Sequence, residues 1–405
     1  MASRPGRRDS HSPALTREES PVGSTVALVR CQTYEDDAVY AAVGRGLELL
    51  GGASRFVSEG ERILLKPNLL VASAPGASVT THPAVFAAVA RHLAGAGAVL
   101  SYGDSPAVGR PEGAAKRAGL AEAAARLSIP FADFSSGRDV SAPSGRVVKR
   151  WRIAEGVLAA DGLVSLPKMK THALTRMTGA VKNQFGCIPG PLKGEFHARM
   201  PDIRTFAQML VDLCAALAPR LYVMDGIVAM EGNGPRGGEP RHVGVLLLSD
   251  DPVALDATAS RLMGLDPARV ETITLGQESG LGMWEDVTIL GDRLEESVAA
   301  DFVANRRAGS TTGPASGVAA WLARALIVPR PFIVPARCTR CGTCVEVCPV
   351  DPKAVQWVES GREGRRAQPP AHDYQRCIRC YCCQEMCPER AIEVSVPLLG
   401  RIIHR

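Results

Sequence analysis

Residues 338–349, CTRCGTCVEVCP, return at 377–388 as CIRCYCCQEMCP, so one cysteine spacing, C-x2-C-x2-C-x3-C-P, occurs twice near the C-terminus. That spacing fits a [4Fe–4S] cluster. A cubane needs four thiolates at tetrahedral directions, and three cysteines on a tight loop reach three of its irons while the fourth comes from elsewhere. Two copies predict two [4Fe–4S] clusters bound by eight of the twelve cysteines. Zinc also takes paired C-x2-C ligands, but two four-cysteine runs, each closed by Cys-Pro, fit it poorly. Disulfides are rare in a reducing cytosol, and the N-terminal residues do not read as an export signal.

The two runs, with the short strand patterns AVQWVESG and AHDYQ between them, resemble bacterial-type dicluster ferredoxins over roughly residues 336–396. The resemblance implies crossed ligation, in which the last cysteine of each run serves the other cluster. Cys338, Cys341, Cys344 and Cys387 would then hold one cluster, and Cys377, Cys380, Cys383 and Cys348 the second. Cys382 offers a rival register; the spacing favours Cys383 and leaves Cys382 as a small packed thiol. Cys31 and Cys214 adjoin apolar stretches and read as buried hydrophobes.

At 405 residues with 46% apolar content, the chain is long enough for two or more domains with ample cores. Its net charge is +5, and from residue 336 onward eleven Lys and Arg face eight Asp and Glu. Oxidised clusters would bring that module close to neutral. Nucleic-acid binding is not indicated, since charge is modest and aromatics are too few for stacking platforms. Residues 1–22 are polar and rich in both charge signs, and read as a disordered tail. Arg7 and Arg8 invite a twin-arginine reading, but no apolar stretch of useful length follows, so a cytoplasmic location is expected. No apolar run of about eighteen residues exists, so no transmembrane segment is expected.

From 23 to 312, short apolar runs alternate with helical patterns: TVALV then DAVYAAVGRGLELLG, RILLK then PAVFAAVARHLAGAG, AVLSYGDS then PEGAAKRAGLAEAAARL. Such alternation predicts an α/β domain with a mostly parallel layered sheet, followed by a small α+β ferredoxin-like domain at 336–405. Pro83 and Pro252 each mark the first turn of a helix, with Asp251 as an N-cap. Residues 313–335, apolar but broken by arginines and prolines, read as a packed connector; lying on a membrane surface is the minor alternative.

Ligands of open α/β sheets bind outside the carboxyl ends of the strands, where the polar residues of this chain concentrate. Lys66 and Asn68 follow ILL, Asp104 and Ser105 follow AVLSYG, Lys168, Lys170 and His172 follow LVSLP, and Asp225 follows LYVM. Lys168 and Lys170 alternate along an extended segment, which aims both ammonium groups at one face. An anion is the expected guest, with Lys182 and Asn183 at the end of a further helix. Cys187 reads as a turn residue rather than a redox thiol. Glu231 and Asp256 complete the candidate set, since an unpaired carboxylate on the apolar helix DPVALDATASRLMG needs a lysine or a ligand. The stretch Gly232–Gly238 is expected to wrap a ligand closely, although it matches neither a P-loop nor a dinucleotide fingerprint.

The motifs LLKPNL, TTHP, GDSP, LVSLPKMKTH, TGAVKNQFG, MDGIVAMEGNGP and DPVALDATASRLMG resemble domain-of-unknown-function family 362, whose members often carry a ferredoxin module. The resemblance spans residues 25–300 and the ferredoxin tail. It implies an iron–sulfur protein and no particular reaction. The residues themselves favour an oxidoreductase in which single electrons pass from a redox partner protein through two clusters to an anionic small molecule. Lys66, Lys168, Lys170 and Lys182 would hold the anion, and His172 or Asp104 would deliver a proton. Two alternatives stand beside it: an electron carrier whose α/β domain docks a partner, and a non-redox enzyme with structural clusters.

Overall fold

The computed structural model describes residues 23–190, 192–305, 326–358 and 368–397. The expected tail, and the connector up to residue 325, lie outside them.

Among the described residues, eleven strands precede the ferredoxin module: β1 (Ser24–Arg30), β2 (Arg62–Pro67), β3 (Val99–Tyr102), β4 (Gly137–Ser141), β5 (Arg150–Ala154), β6 (Gly162–Leu166), β7 (Lys168–His172), β8 (Arg176–Met177), β9 (Leu221–Glu231), β10 (Glu239–Ser249) and β11 (Val287–Gly291). Nine form one sheet in the order β11-β1-β10-β9-β6-β2-β3, with β7 beside β9 and β8 beside β7. Parallel pairing joins β1 to β11, β2 to β3 and β6, and β9 to β6 and β7. Antiparallel pairing joins β10 to β1 and to β9, and β8 to β7; the turn of the long β9–β10 hairpin is the glycine-rich loop.

Side-chain alternation separates two cores. Val26 and Leu28 face the helices Ile203–Leu217 and Pro252–Leu262, while Ala27 and Val29 face Asp36–Leu49 and Pro83–Gly95. Burial on both sides explains why the strands read as continuous apolar runs. Both helix starts expected at proline are observed, and Asp251 accepts hydrogen bonds from the backbone N–H groups of Val253 and Ala254.

Pro167 divides β6 from β7. Both segments run along β9, but pairing jumps from Lys168↔Asp225 to Lys170↔Met230. This irregularity breaks the strict two-residue alternation on which the sequence reading of Lys168 and Lys170 relied.

The ferredoxin module pairs β12 (Arg330–Ile333) with β15 (Ile392–Ser395), and β13 (Val355–Gln356) with β14 (Ala371–His372). Each short helix, Thr343–Glu346 and Cys382–Met386, lies within a cysteine run. The module thus takes in the end of the expected connector, ahead of residue 336. The glycine-rich loop grips this module, with its Pro235 on the wall of the cavity described below. Gln384 Nε2 donates to the Asn233 and Gly234 carbonyls at 2.9 and 3.2 Å, Asn233 Nδ2 to the Ile392 carbonyl at 3.0 Å, and an Arg236 nitrogen to the Met386 carbonyl at 2.7 Å.

Candidate functional site

A cavity of about 610 Å³ lies at the seam between the two modules. The α/β domain supplies Asn68, Asp104, Lys170, His172, Lys182 and Lys193, and the ferredoxin module supplies Cys348, Cys382, Glu385 and Met386.

Lys182 is buried near the end of the helix Gly179–Asn183 and hydrogen-bonds to no described residue; its nearest aromatic neighbour is Phe185, 5.9 Å from ammonium to ring centre. Burial depresses its pKa, with Glu385 pulling the other way. Lys170 gives one hydrogen bond, to the Val79 carbonyl at 2.7 Å, and is pushed well below the usual lysine range by burial and by Lys182. Lys193, on the helix Leu192–Arg199, donates to Ser105 Oγ at 2.8 Å and to the Ile188 carbonyl at 2.9 Å. Burial brings its ammonium down to about 8.

Four expected ligand-binding residues are committed elsewhere. Lys168 is locked to Asp225 at 2.7 Å and to the Tyr34 hydroxyl at 2.9 Å, and the same Asp225 accepts from Tyr34 and from the His82 N–H. The jump in register at β7 turns Lys168 into this network and leaves Lys170 at the cavity. Asp256 accepts from the backbone N–H groups of Ala180 and Val181 at 2.5 and 3.1 Å, so its partner is the start of the Lys182 helix rather than a lysine or ligand. Burial raises its pKa to about 7, against those hydrogen bonds. Glu231 accepts from the Val303 N–H at 2.9 Å, away from the cavity.

Lys66 is fully buried and forms an ion pair with Asp104 at 2.9 Å, at the back of the cavity. Asp104 also accepts from the Leu69 and Ser105 N–H groups at 2.7 and 2.9 Å. Burial pushes its carboxyl upward, and Lys66 and the Leu69 N–H oppose that. Asn183 accepts from Lys66 Nζ and from Asn68 Nδ2 at 3.3 and 3.0 Å. Lys66 is therefore a neutralised support, and both Asp104 oxygens are engaged as hydrogen-bond acceptors.

His172 is not a proton donor to a ligand either. Its Nδ1 accepts from the Leu174 and Thr175 N–H groups at 3.0 and 3.4 Å, which places the ring proton on Nε2. Nε2 lies 3.0 Å from Glu385 Oε1, within ion-pair range, although the ring N–H misses the oxygen and makes no aligned hydrogen bond. Burial lowers the His172 pKa to about 4, while Glu385 is held at about 2 by His172 and Lys182 against its own burial.

Lys193, His197 and Glu385 were missed from sequence. A lone lysine in LKGEFHAR signals nothing until the helix folds over the cavity, and Glu385 reads as one surface charge among cysteines. His197 has the same low pKa of about 4, caused by burial, and its Nδ1 has no hydrogen-bond partner among the described residues. Cys187 ends the 3-10 turn Gln184–Cys187, in keeping with a turn residue, and burial pushes its thiol up to about 12.

The cysteines divide spatially. Cys338, Cys341, Cys344 and Cys387 wall one small cavity. The buried Cys383 lies among Cys380, Cys377, Cys344 and Cys348, whose nearness adds to burial in pushing its thiol upward, whereas Cys382 lines the large cavity. The four cysteines of the first set stand around that one small void, an arrangement that suits [4Fe–4S] binding.

Among known proteins, the family described as a domain of unknown function (DUF362) matches residues 63–261, and the 4Fe-4S dicluster domain matches residues 337–391. A thylakoid-associated protein of Synechocystis sp. is 42% identical over 258 residues, 64% of this chain and 80% of that protein. Lactate racemase apoprotein from Thermoanaerobacterium thermosaccharolyticum superposes with a TM-score of 0.38 at 11% identity, over 59% of this chain and 57% of that one. A Thermotoga maritima protein gives 0.34 at 10%, over 62% and 60%. The chain thus spans less than two thirds of either structure, and at those scores neither bears on fold or activity.

Proposed function

This chain belongs to the DUF362 family and carries an iron–sulfur dicluster module, and from that premise we propose that it is an oxidoreductase acting on an anion held in the seam cavity. The carrying observation is Lys182, a buried ammonium without a hydrogen-bond partner, in a cavity whose wall includes Cys348. Glu385 offsets its charge in part, and an anionic ligand would supply the hydrogen bonds that this buried cation lacks.

Cys338, Cys341, Cys344 and Cys387 would hold one cluster, and Cys377, Cys380, Cys383 and Cys348 the other. When bound, each cluster supplies a site for one electron. Cys341 is the exposed member of its set, while Cys348 borders the cavity, which supports electrons entering from a redox partner protein near Cys341 and leaving at the anion. Lys170, Lys182 and Lys193 bind and orient the anion. Lys193 Nζ, with a proton held near the operating pH, replaces His172 and Asp104 as the proton donor. His172 positions Glu385. A cytoplasmic location accords with thiolate ligands kept reduced.

Anaerobic reconstitution with iron and sulfide analysis, followed by reoxidation of the reduced protein in the presence of small anions, tests this reading. The expected results are about eight irons per chain and anion-accelerated reoxidation that Lys182→Ala abolishes. About four irons, or equal rates in the variant, would overturn it.

A further inference from the structure

Resting on the two-cluster reading, we propose that His372 and Arg379, both packed against Tyr374, raise the reduction potential of the cluster carried by Cys377, Cys380, Cys383 and Cys348. His372 Nε2 lies 3.4 Å from Cys383 Sγ. A cysteine that ligates iron is a thiolate and can only accept, so the ring proton belongs on Nε2, facing the sulfur. Tyr374 fixes the ring: the two rings stack with centres 5.7 Å apart and planes 3° from parallel, and the Tyr374 hydroxyl donates to the Pro331 carbonyl at 2.9 Å.

Arg379 falls between Cys377 and Cys380 in the chain, and its guanidinium stands 4.9 Å from the centre of the same Tyr374 ring. It is 3% exposed, and its Nε and Nη1 have no hydrogen-bond partner among the described residues. A guanidinium keeps its charge at any working pH, so burying it with idle N–H groups is costly unless an anion stands beside it. The thiolates and sulfides of a bound cluster supply that anion.

Reduction adds one electron, and with it one negative charge, to the cluster. An N–H donor on a ligand sulfur and a fixed buried cation both stabilise the more negative state, which raises the potential. In the first set, Cys387 Sγ instead accepts from the Ala391 N–H at 3.3 Å, and Cys341 Sγ lies 3.4 Å from the Thr343 hydroxyl. Cys348 lies on the cavity wall, so an electron drawn to the second cluster is held next to the anion site.

The test is an EPR-monitored redox titration of the full chain loaded with iron and sulfide, fitted to two one-electron midpoints. His372→Phe and Arg379→Met should each lower the same one of them, together by about 59 mV, a tenfold fall in electron affinity for a one-electron couple, and leave the other in place. His372→Gln, which keeps an N–H donor, and Arg379→Lys, which keeps the charge, should each recover most of the loss. Where His372→Phe or Arg379→Met fails to retain its iron, His372→Leu and Arg379→Gln read the same quantity. Unmoved midpoints, or a shift shared equally by both clusters, would overturn this inference and leave the two-cluster reading standing. A parent chain with about four irons and a single midpoint would overturn both.

Discussion

His172 Nε2 and Glu385 Oε1 approach to 3.0 Å across the seam, one from β7 of the α/β sheet and the other from the helix that carries Cys382 and Cys383. The contact ties the cavity wall to the module that holds the cysteines. Because His172 Nδ1 is occupied by two backbone donors, the ring cannot turn to serve another partner without losing them. Glu385→Gln should therefore leave iron content unchanged while altering anion affinity, as read by titration of the loaded protein. A loss of iron on that substitution would assign Glu385 to cluster assembly instead.

Lys168 and Lys182 should respond in opposite directions. Lys168→Met strands Asp225 without its cation, and loss of one partner of a buried pair costs about 3–5 kcal/mol. Lys182→Met removes an ammonium without a partner, so the variant should unfold no earlier than the parent while losing anion binding. Thermal unfolding of both, side by side, checks the contrast.

Gly186 lies where a Cβ would stand 1.7 Å from Asp104 Oδ1 and 2.9 Å from Lys66 Nζ. Gly186→Ala should separate the Lys66–Asp104 pair and destabilise the protein by about 3 kcal/mol or more. Denaturant unfolding with intact clusters measures it, and an unchanged midpoint would contradict the packing described.

His172 and His197 have folded pKa values near 4, below the ordinary 6.5. The unfolded chain then binds more protons between those values, so stability falls as pH drops from 6.5 towards 4, by at most about 3 kcal/mol for each. His172→Gln with His197→Gln should flatten that part of the stability–pH profile.

Anion binding should weaken as pH rises through about 8, where Lys193 loses its proton. The same limb should be absent from Lys193→Gln, with affinity measured across the range.

The sheet, its helix starts and both cysteine runs were legible because each rests on local periodicity or spacing. Lys170 and Asn68 were found by their position after apolar strands and Lys182 by its place near the end of a helical pattern, and all three line the cavity. Lys168 was misread because the register jump beside β9 is invisible in a strictly alternating KMK. Asp256 was given the wrong partner because capping a helix 76 residues earlier is a tertiary event. Lys193, His197 and Glu385 become neighbours of the site only after the chain has folded across two modules, and nothing in their own surroundings announces it.

The turn of the β9–β10 hairpin fastens the ferredoxin module through Asn233, Gly234 and Arg236. Amputating the chain ahead of Arg330 would thus do more than delete redox capacity. It would leave Lys170 and Lys182 facing water, relieved of the desolvation that makes them demand a counter-ion, and the remaining domain would resemble a lock with one jaw removed.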